Sequence, residues 1–184
     1  MINDIKEIYY SKEQLNDIVV RLGKKISEDY KDKNLLLVCI LKGSVLFMAD
    51  LMRAVTIPCK IDFMCVSSYG NGTDNNSSEI NIIKDIDDNL EGFDVLLVED
   101  ILDSGRTLNC VKSVLQARNP ESIRICTLLD KPERRVVDIK ADYSGAEVPD
   151  AFVVGYGLDY AEVYRNLPFI GVLREEIYTD NEEQ

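Results

Sequence analysis

Histidine is missing altogether from the 184 residues. Its absence excludes a His-ligated zinc and a Ser-His-Asp triad, and it leaves any acid–base chemistry to Asp, Glu, Lys, Tyr or Cys. No apolar stretch approaches the roughly 18 residues that a membrane span needs. The opening Met1-Ile2-Asn3-Asp4-Ile5-Lys6 mixes both charges and lacks the apolar core of a signal peptide, so the cytoplasm is the expected location. Positive charge is scarce: 21 Lys and Arg stand against 33 Asp and Glu, a net charge of −12. That balance argues against nucleic acid as a partner, since such proteins carry a basic surface. Cysteine is present as an odd number, five, with no C-x-x-C spacing. Three of the five sit in apolar runs, where cysteine behaves as a small hydrophobe, and reduced structural thiols are expected.

What is present suits one globular domain over residues 1–184: 46% hydrophobic and 29% charged residues. Ser11 and Gln14 form a capping-box pattern, and Leu15, Ile18, Val19, Leu22 and Ile26 follow at helical spacing. Residues 35–40 are continuously apolar, as in a strand buried on both faces. Residues 45–54 read as a helix and 57–67 as a second strand. Residues 67–78 are dominated by Ser, Gly and Asn without periodicity, which predicts a flexible surface loop, with residues 80–84 returning as the other arm of a hairpin. Residues 94–98, 107–118 and 123–129 read as strand, helix and strand, so a right-handed crossover between parallel strands is expected. Two further apolar pieces, 152–154 and 169–173, are expected to complete the sheet, and the acidic tail 175–184 to fray.

In open α/β sheets, ligands collect beyond the carboxyl ends of the strands. There the chain reads Glu99-Asp100-Ile101-Leu102-Asp103-Ser104-Gly105-Arg106-Thr107. Small and hydroxylated residues at a helix start offer free backbone N–H groups and hydroxyls to a phosphate. Three carboxylates beside such a site would repel a polyanion unless a hard cation intervened, and carboxylate plus phosphate oxygens suit Mg²⁺. A plainer reading of the same residues is an acidic helix-start loop in which Asp103 only caps the helix.

The stretch at residues 98–108, Val-Glu-Asp-Ile-Leu-Asp-Ser-Gly-Arg-Thr-Leu, resembles the phosphoribosyl pyrophosphate (PRPP) signature of the type I phosphoribosyltransferases, in the wording of the hypoxanthine-guanine branch. The likeness extends in order through Leu41-Lys42-Gly43-Ser44, Ser67-Ser68-Tyr69-Gly70, Leu129-Asp130-Lys131-Pro132 and residues 149–160. It implies an α/β fold of mainly parallel, twisted sheet flanked by helices, with a small hood and a flexible hairpin lid. It further implies purine salvage, with PRPP and a 6-oxopurine as substrates, and a homodimer or homotetramer.

The roles it implies are as follows. Glu99 and Asp100 hold the ribose hydroxyls and Mg²⁺, with Asp159 near a second metal and the purine edge. Asp103 is the general base, and with Ser104, Gly105, Arg106 and Thr107 it cradles the 5′-phosphate. Lys42 and Gly43, after a cis peptide at Leu41, bind pyrophosphate together with Arg165. Ile101 and Lys131 meet the purine, Lys131 through its 6-oxo group, while Phe152 stacks on the ring and the Val153 backbone meets its edge. Ser68 and Tyr69 belong to a lid over 67–78 that shuts out water. Read without the resemblance, Lys42, Lys131 and Arg165 are solvated side chains near turns, and Phe152-Val153-Val154 is a core strand. The rival readings are a nucleic-acid-binding PRPP sensor, against which the acidic charge weighs, and an enzyme for adenine or orotate, which Lys131 and Phe152 disfavour.

Overall fold

The computed structural model describes residues 1–68, 80–87 and 89–179, with Ser68 described in its backbone only. The expected lid over 67–78, Tyr69 included, therefore lies almost wholly outside the described residues.

A six-stranded sheet has the order β4-β3-β2-β5-β6-β7. Its strands are β2 (Leu35–Leu41), β3 (Cys59–Ser68), β4 (Ile80–Lys84), β5 (Asp94–Leu102), β6 (Ser122–Asp130) and β7 (Tyr143–Glu147). Neighbours are parallel except β3 and β4, which form the hairpin expected at 80–84. Helices α1 (Lys12–Asp29) and α2 (Val45–Ala54) cover one face, and α3 (Arg106–Gln116) covers the other. The central strands explain why this sheet is legible as unbroken apolar runs. Leu35, Leu37 and Cys39 of β2 join the core under α1 and α2, while Leu36, Val38 and Ile40 join the core under α3. Helix α1 begins where the sequence says, with both arms of the Ser11/Gln14 capping box formed. Such a cap is worth about 1 kcal/mol. All five cysteines are free, and Cys39 and Cys126 are buried, as thiols used for packing should be.

Three expectations are corrected. The pieces at 152–154 and 169–173 do not complete the main sheet. β8 (Val153–Val154) and β9 (Ile170–Leu173) pair with β1 (Ile5–Tyr10) in a separate three-stranded antiparallel sheet, the hood, because β9 is hydrogen-bonded on both of its edges there. The place beside β6 belongs instead to β7. The tail expected to fray from 175 begins as a short helix, α4 (Glu175–Thr179), and residues beyond 179 are outside those described. Finally, β5 does not stop at Val98. It stays paired with β6 through Leu102, so Glu99 and Asp100 ride on a strand rather than on a loop.

Candidate active site

The carboxyl ends of β2, β5 and β6 meet beneath the hood. The 41–42 peptide is cis. Beyond it, a Cβ at Gly43 would fall 1.7 Å from Asp100 Oδ2, and a Cβ at Gly157 would fall 1.9 Å from the Gly43 carbonyl. Only glycine lets these three pieces of backbone and carboxylate close to this distance. Gly157 itself has φ +103°, and its carbonyl accepts a hydrogen bond from Arg165 at 2.8 Å. The Lys42-Gly43 turn, Asp100 and the 157–165 segment thus form one locked corner.

At the end of β5 the chain turns into α3 through Gly105, whose φ is +82°. The N-cap of α3 is Gly105, which has no side chain to cap it, and the Arg106 N–H makes only a long 3.4 Å bond to Ser104 Oγ, beside a cavity of about 80 Å³ lined by Glu99, Asp103, Ser104, Gly105 and Thr107. That is a phosphate-sized cradle with the positive end of a helix behind it. Arg106 is exposed and is not part of that lining. The cradle is braced from β6 and the segment after it. Arg135 donates to the carbonyls of Leu102 and Asp103 and pairs with Asp130, and Val136 N–H donates to the Ser104 carbonyl at 3.1 Å.

A second cavity, of about 570 Å³, lies between this turn and the hood. Ile101, Asp103, Lys131, Phe152, Val153 and Asp159, all singled out from sequence, line it together. Lys131 is 7% exposed, and its ammonium donates to the Ala151 carbonyl at 2.7 Å, with two further N–H bonds to give. Burial pulls its pKa below the ordinary lysine value, against the raising effect of Asp103. Phe152 remains 38% exposed, with Tyr178 stacked on it (centroids 5.2 Å, 25° between planes) and Tyr160 edge-on at 5.4 Å. Asp103 lines both cavities and so stands at their junction.

Glu99 and Asp100 are only partly accessible. Burial pushes the Glu99 carboxyl well above the ordinary carboxylate range, with Asp100 adding to the shift. Burial likewise pushes Asp100 up to about 6, against the lowering effect of the Ile101 N–H it accepts at 2.7 Å. Two adjacent, desolvated carboxylates are a pair that could hold a hard cation. Among the described residues no group of three or more Asp, Glu, Cys or His side chains is gathered for a metal. Glu99 and Asp100 could serve Mg²⁺, which takes one or two carboxylates and completes its shell with substrate oxygens and water. Asp159 already uses both oxygens: Oδ1 pairs with Arg165 at 2.9 Å and Oδ2 accepts the Glu162 N–H at 2.9 Å.

Three site residues escaped the sequence reading. Arg134 lies 3.0 Å from Asp103 Oδ1 and 2.8 Å from Asp150 Oδ1, bridging two walls of the larger cavity. Its signal was its place in the same tight turn as Lys131, a 3₁₀ segment over Pro132–Arg134. Glu162 pairs with Lys42. Tyr178 sits in what read as a loose acidic tail. Among the expected lid residues, Ser68 and Tyr69 have no described side chains.

Comparison with known proteins places this arrangement. A phosphoribosyl transferase domain model matches residues 6–161. The chain is 53% identical over 175 residues to the hypoxanthine-guanine phosphoribosyltransferase of Streptococcus thermophilus, covering 95% of this chain and 97% of that one. It is 52% identical over 177 residues to that of Streptococcus agalactiae, covering 96% and 98%. The crystal structure of a hypoxanthine phosphoribosyltransferase from Staphylococcus aureus superposes with a TM-score of 0.93 at 50% identity, covering 97% of each chain.

Proposed function

The chain belongs to the phosphoribosyl transferase family, and from that premise we propose that it moves the 5-phosphoribosyl group of PRPP onto hypoxanthine or guanine. The products are IMP or GMP and pyrophosphate, a step of purine salvage. One observation carries the reading: Asp103 stands where a base-sized cavity meets a phosphate-sized cradle. A ribose carrying a 5′-phosphate in the cradle would present its anomeric carbon to a base in the larger cavity.

In this reading the N-terminus of α3, with Ser104, Gly105, Arg106 and Thr107, fixes the 5′-phosphate. Glu99 and Asp100 accept the ribose hydroxyls and would hold Mg²⁺, which when bound offsets the crowded negative charge of carboxylates and pyrophosphate, while Asp159 lies near the purine edge and a second metal. Lys42, Gly43 and Arg165 hold the departing pyrophosphate. Lys131 donates to the 6-oxo group, Ile101 and Phe152 face the ring, and the Val153 backbone meets its edge. As positive charge builds on the ribose, Asp103 takes the proton from the imidazole ring of the purine, so the base attacks without accumulating charge of its own. A cytoplasmic location and a homodimer or homotetramer complete the proposal. Among the described residues no helix is long and apolar enough to cross a membrane. Exposed Val20 (55%) and Leu46 (37%), both bordering a groove between α1 and α2, support self-association.

The test is release of pyrophosphate from PRPP by the purified protein. It should require a 6-oxopurine, stop in EDTA and return with Mg²⁺. Release without any purine would overturn the reaction, and full activity in chelator would remove the metal from it. Specificity has its own check. Lys131→Ala removes one charge-assisted hydrogen bond to the base, together with the ammonium's bond to the Ala151 carbonyl on the base side of the site. Its KM for hypoxanthine should rise at least tenfold while that for PRPP moves less than threefold. Equal damage to both would make Lys131 a structural support of the Ala151 carbonyl, to which its ammonium donates.

A further inference from the structure

The basic side chains beside the proposed pyrophosphate subsite are already engaged by an anion of the chain itself. Lys42 Nζ lies 3.2 Å from both carboxylate oxygens of Glu162. Arg165 Nη2 lies 3.4 Å from Glu162 Oε1. The Glu162 side chain is 66% exposed, so burial does not force it into this position.

What holds it there is a turn that its residues do not favour. Tyr160 and Val163 exchange both backbone hydrogen bonds, at 3.2 and 3.0 Å, and so close a two-residue hairpin. At its tip stand Ala161 (φ +49°) and Glu162 (φ +64°), both left-handed. Positive φ at both central residues is the type I′ pattern, which normally draws Asn and Gly because a Cβ is strained there. Strain of this kind persists where the surroundings over-determine it, and it concentrates at functional positions. Here the surroundings are specific. The Glu162 N–H donates to Asp159 Oδ2, Asp159 Oδ1 pairs with Arg165, and Arg165 reaches back to the Glu162 carboxylate. This ring of contacts fixes the tip of the turn and aims one carboxylate across at Lys42.

We propose that Glu162 is a resident anion of the pyrophosphate subsite, whose carboxylate occupies Lys42 and Arg165 until a more highly charged anion displaces it. The inference rests on the reading of Lys42 and Arg165 given above and deepens it. Pyrophosphate carries more negative charge than one carboxylate and wins the exchange, but the contest lowers its affinity. The same contest helps it leave, because the Glu162 carboxylate closes on the two cations as they are vacated. In a protein of net charge −12, Glu162 thus makes the subsite one that a polyanion can enter and also quit.

The experiment is calorimetric titration of magnesium pyrophosphate into the wild type, Glu162→Gln and Arg165→Gln, at low and high salt. Glu162→Gln keeps the size of the side chain and removes its charge. It should bind two- to fivefold more tightly, about the range that exposed ion pairs span, and the gain should shrink at high salt. Should Glu162→Gln fail to fold, Glu162→Gly, which suits a type I′ turn, gives the same reading. Unchanged or weaker binding on removal of the carboxylate, with Arg165→Gln weakened, overturns the inference and leaves the subsite intact. If Arg165→Gln binds as the wild type does, the subsite is misplaced and the inference falls with it.

Discussion

Replacing Asp103 by Asn is expected to lower kcat by about 10²- to 10⁴-fold, the range that general-base catalysis spans, while PRPP binding changes little. The substitution keeps the shape of the side chain, but an amide cannot take the purine proton. The position sharpens the expectation, since Asp103 borders both the base cavity and the phosphate cradle and no other carboxylate lines both. Arg134, 3.0 Å from Asp103 Oδ1, would lose an ion pair, but both side chains are about half exposed, so that loss alone should be small. Steady-state kinetics with saturating PRPP, together with PRPP binding measured directly, separate the two effects. A fall of less than threefold would mean that Asp103 serves only the geometry of the turn.

Gly43→Ala is expected to cost as much by a different route. Its Cβ would overlap Asp100 Oδ2 at 1.7 Å, and that carboxylate is pinned through its other oxygen by the Ile101 N–H at 2.7 Å. Either the 42–43 turn or Asp100 must move by an ångström or more, and displacements of that size at a reacting centre cost about 10²-fold. If Gly43 and Asp100 hold PRPP as proposed, the loss should appear in KM for PRPP as well as in kcat, with KM for the purine nearly unchanged. Thermal unfolding should fall only modestly, because the hydrophobic cores beneath are untouched. Wild-type KM for PRPP in this variant would show that the corner is slack.

These expectations draw on residues that differ in how openly the sequence displays them. β2 and β5 are readable because burial on both faces leaves no polar positions, and α1 is readable because a capping box precedes its apolar spacing. β1 and β7 are not readable. In β1 only Ile5 is buried, and Tyr-Ser-Gly-Ala-Glu in β7 has no β-branched residue, so both are made strands by the neighbours they pair with. The site divides in the same way. Glu99 through Thr107 is a contiguous stretch whose chemistry announces itself, and Ile101, Lys131, Phe152, Val153 and Asp159 do converge on one cavity. Arg134, Glu162 and Tyr178 act through partners distant in sequence or through a strained turn, and no local pattern marks them.

The hood has a temporal side. The phosphate cradle is drawn from a single run, Glu99 to Leu108, and is specified as soon as that run and its braces have been made. The base cavity is walled by Lys6, Glu7 and Tyr9 of the first strand and by Val172, Leu173 and Tyr178 near the other end of the described chain. A ribosome makes the first of those walls well before the second. The base cavity is therefore walled only when the hood has brought together residues far apart in the chain, whereas the cradle needs only one run and its braces.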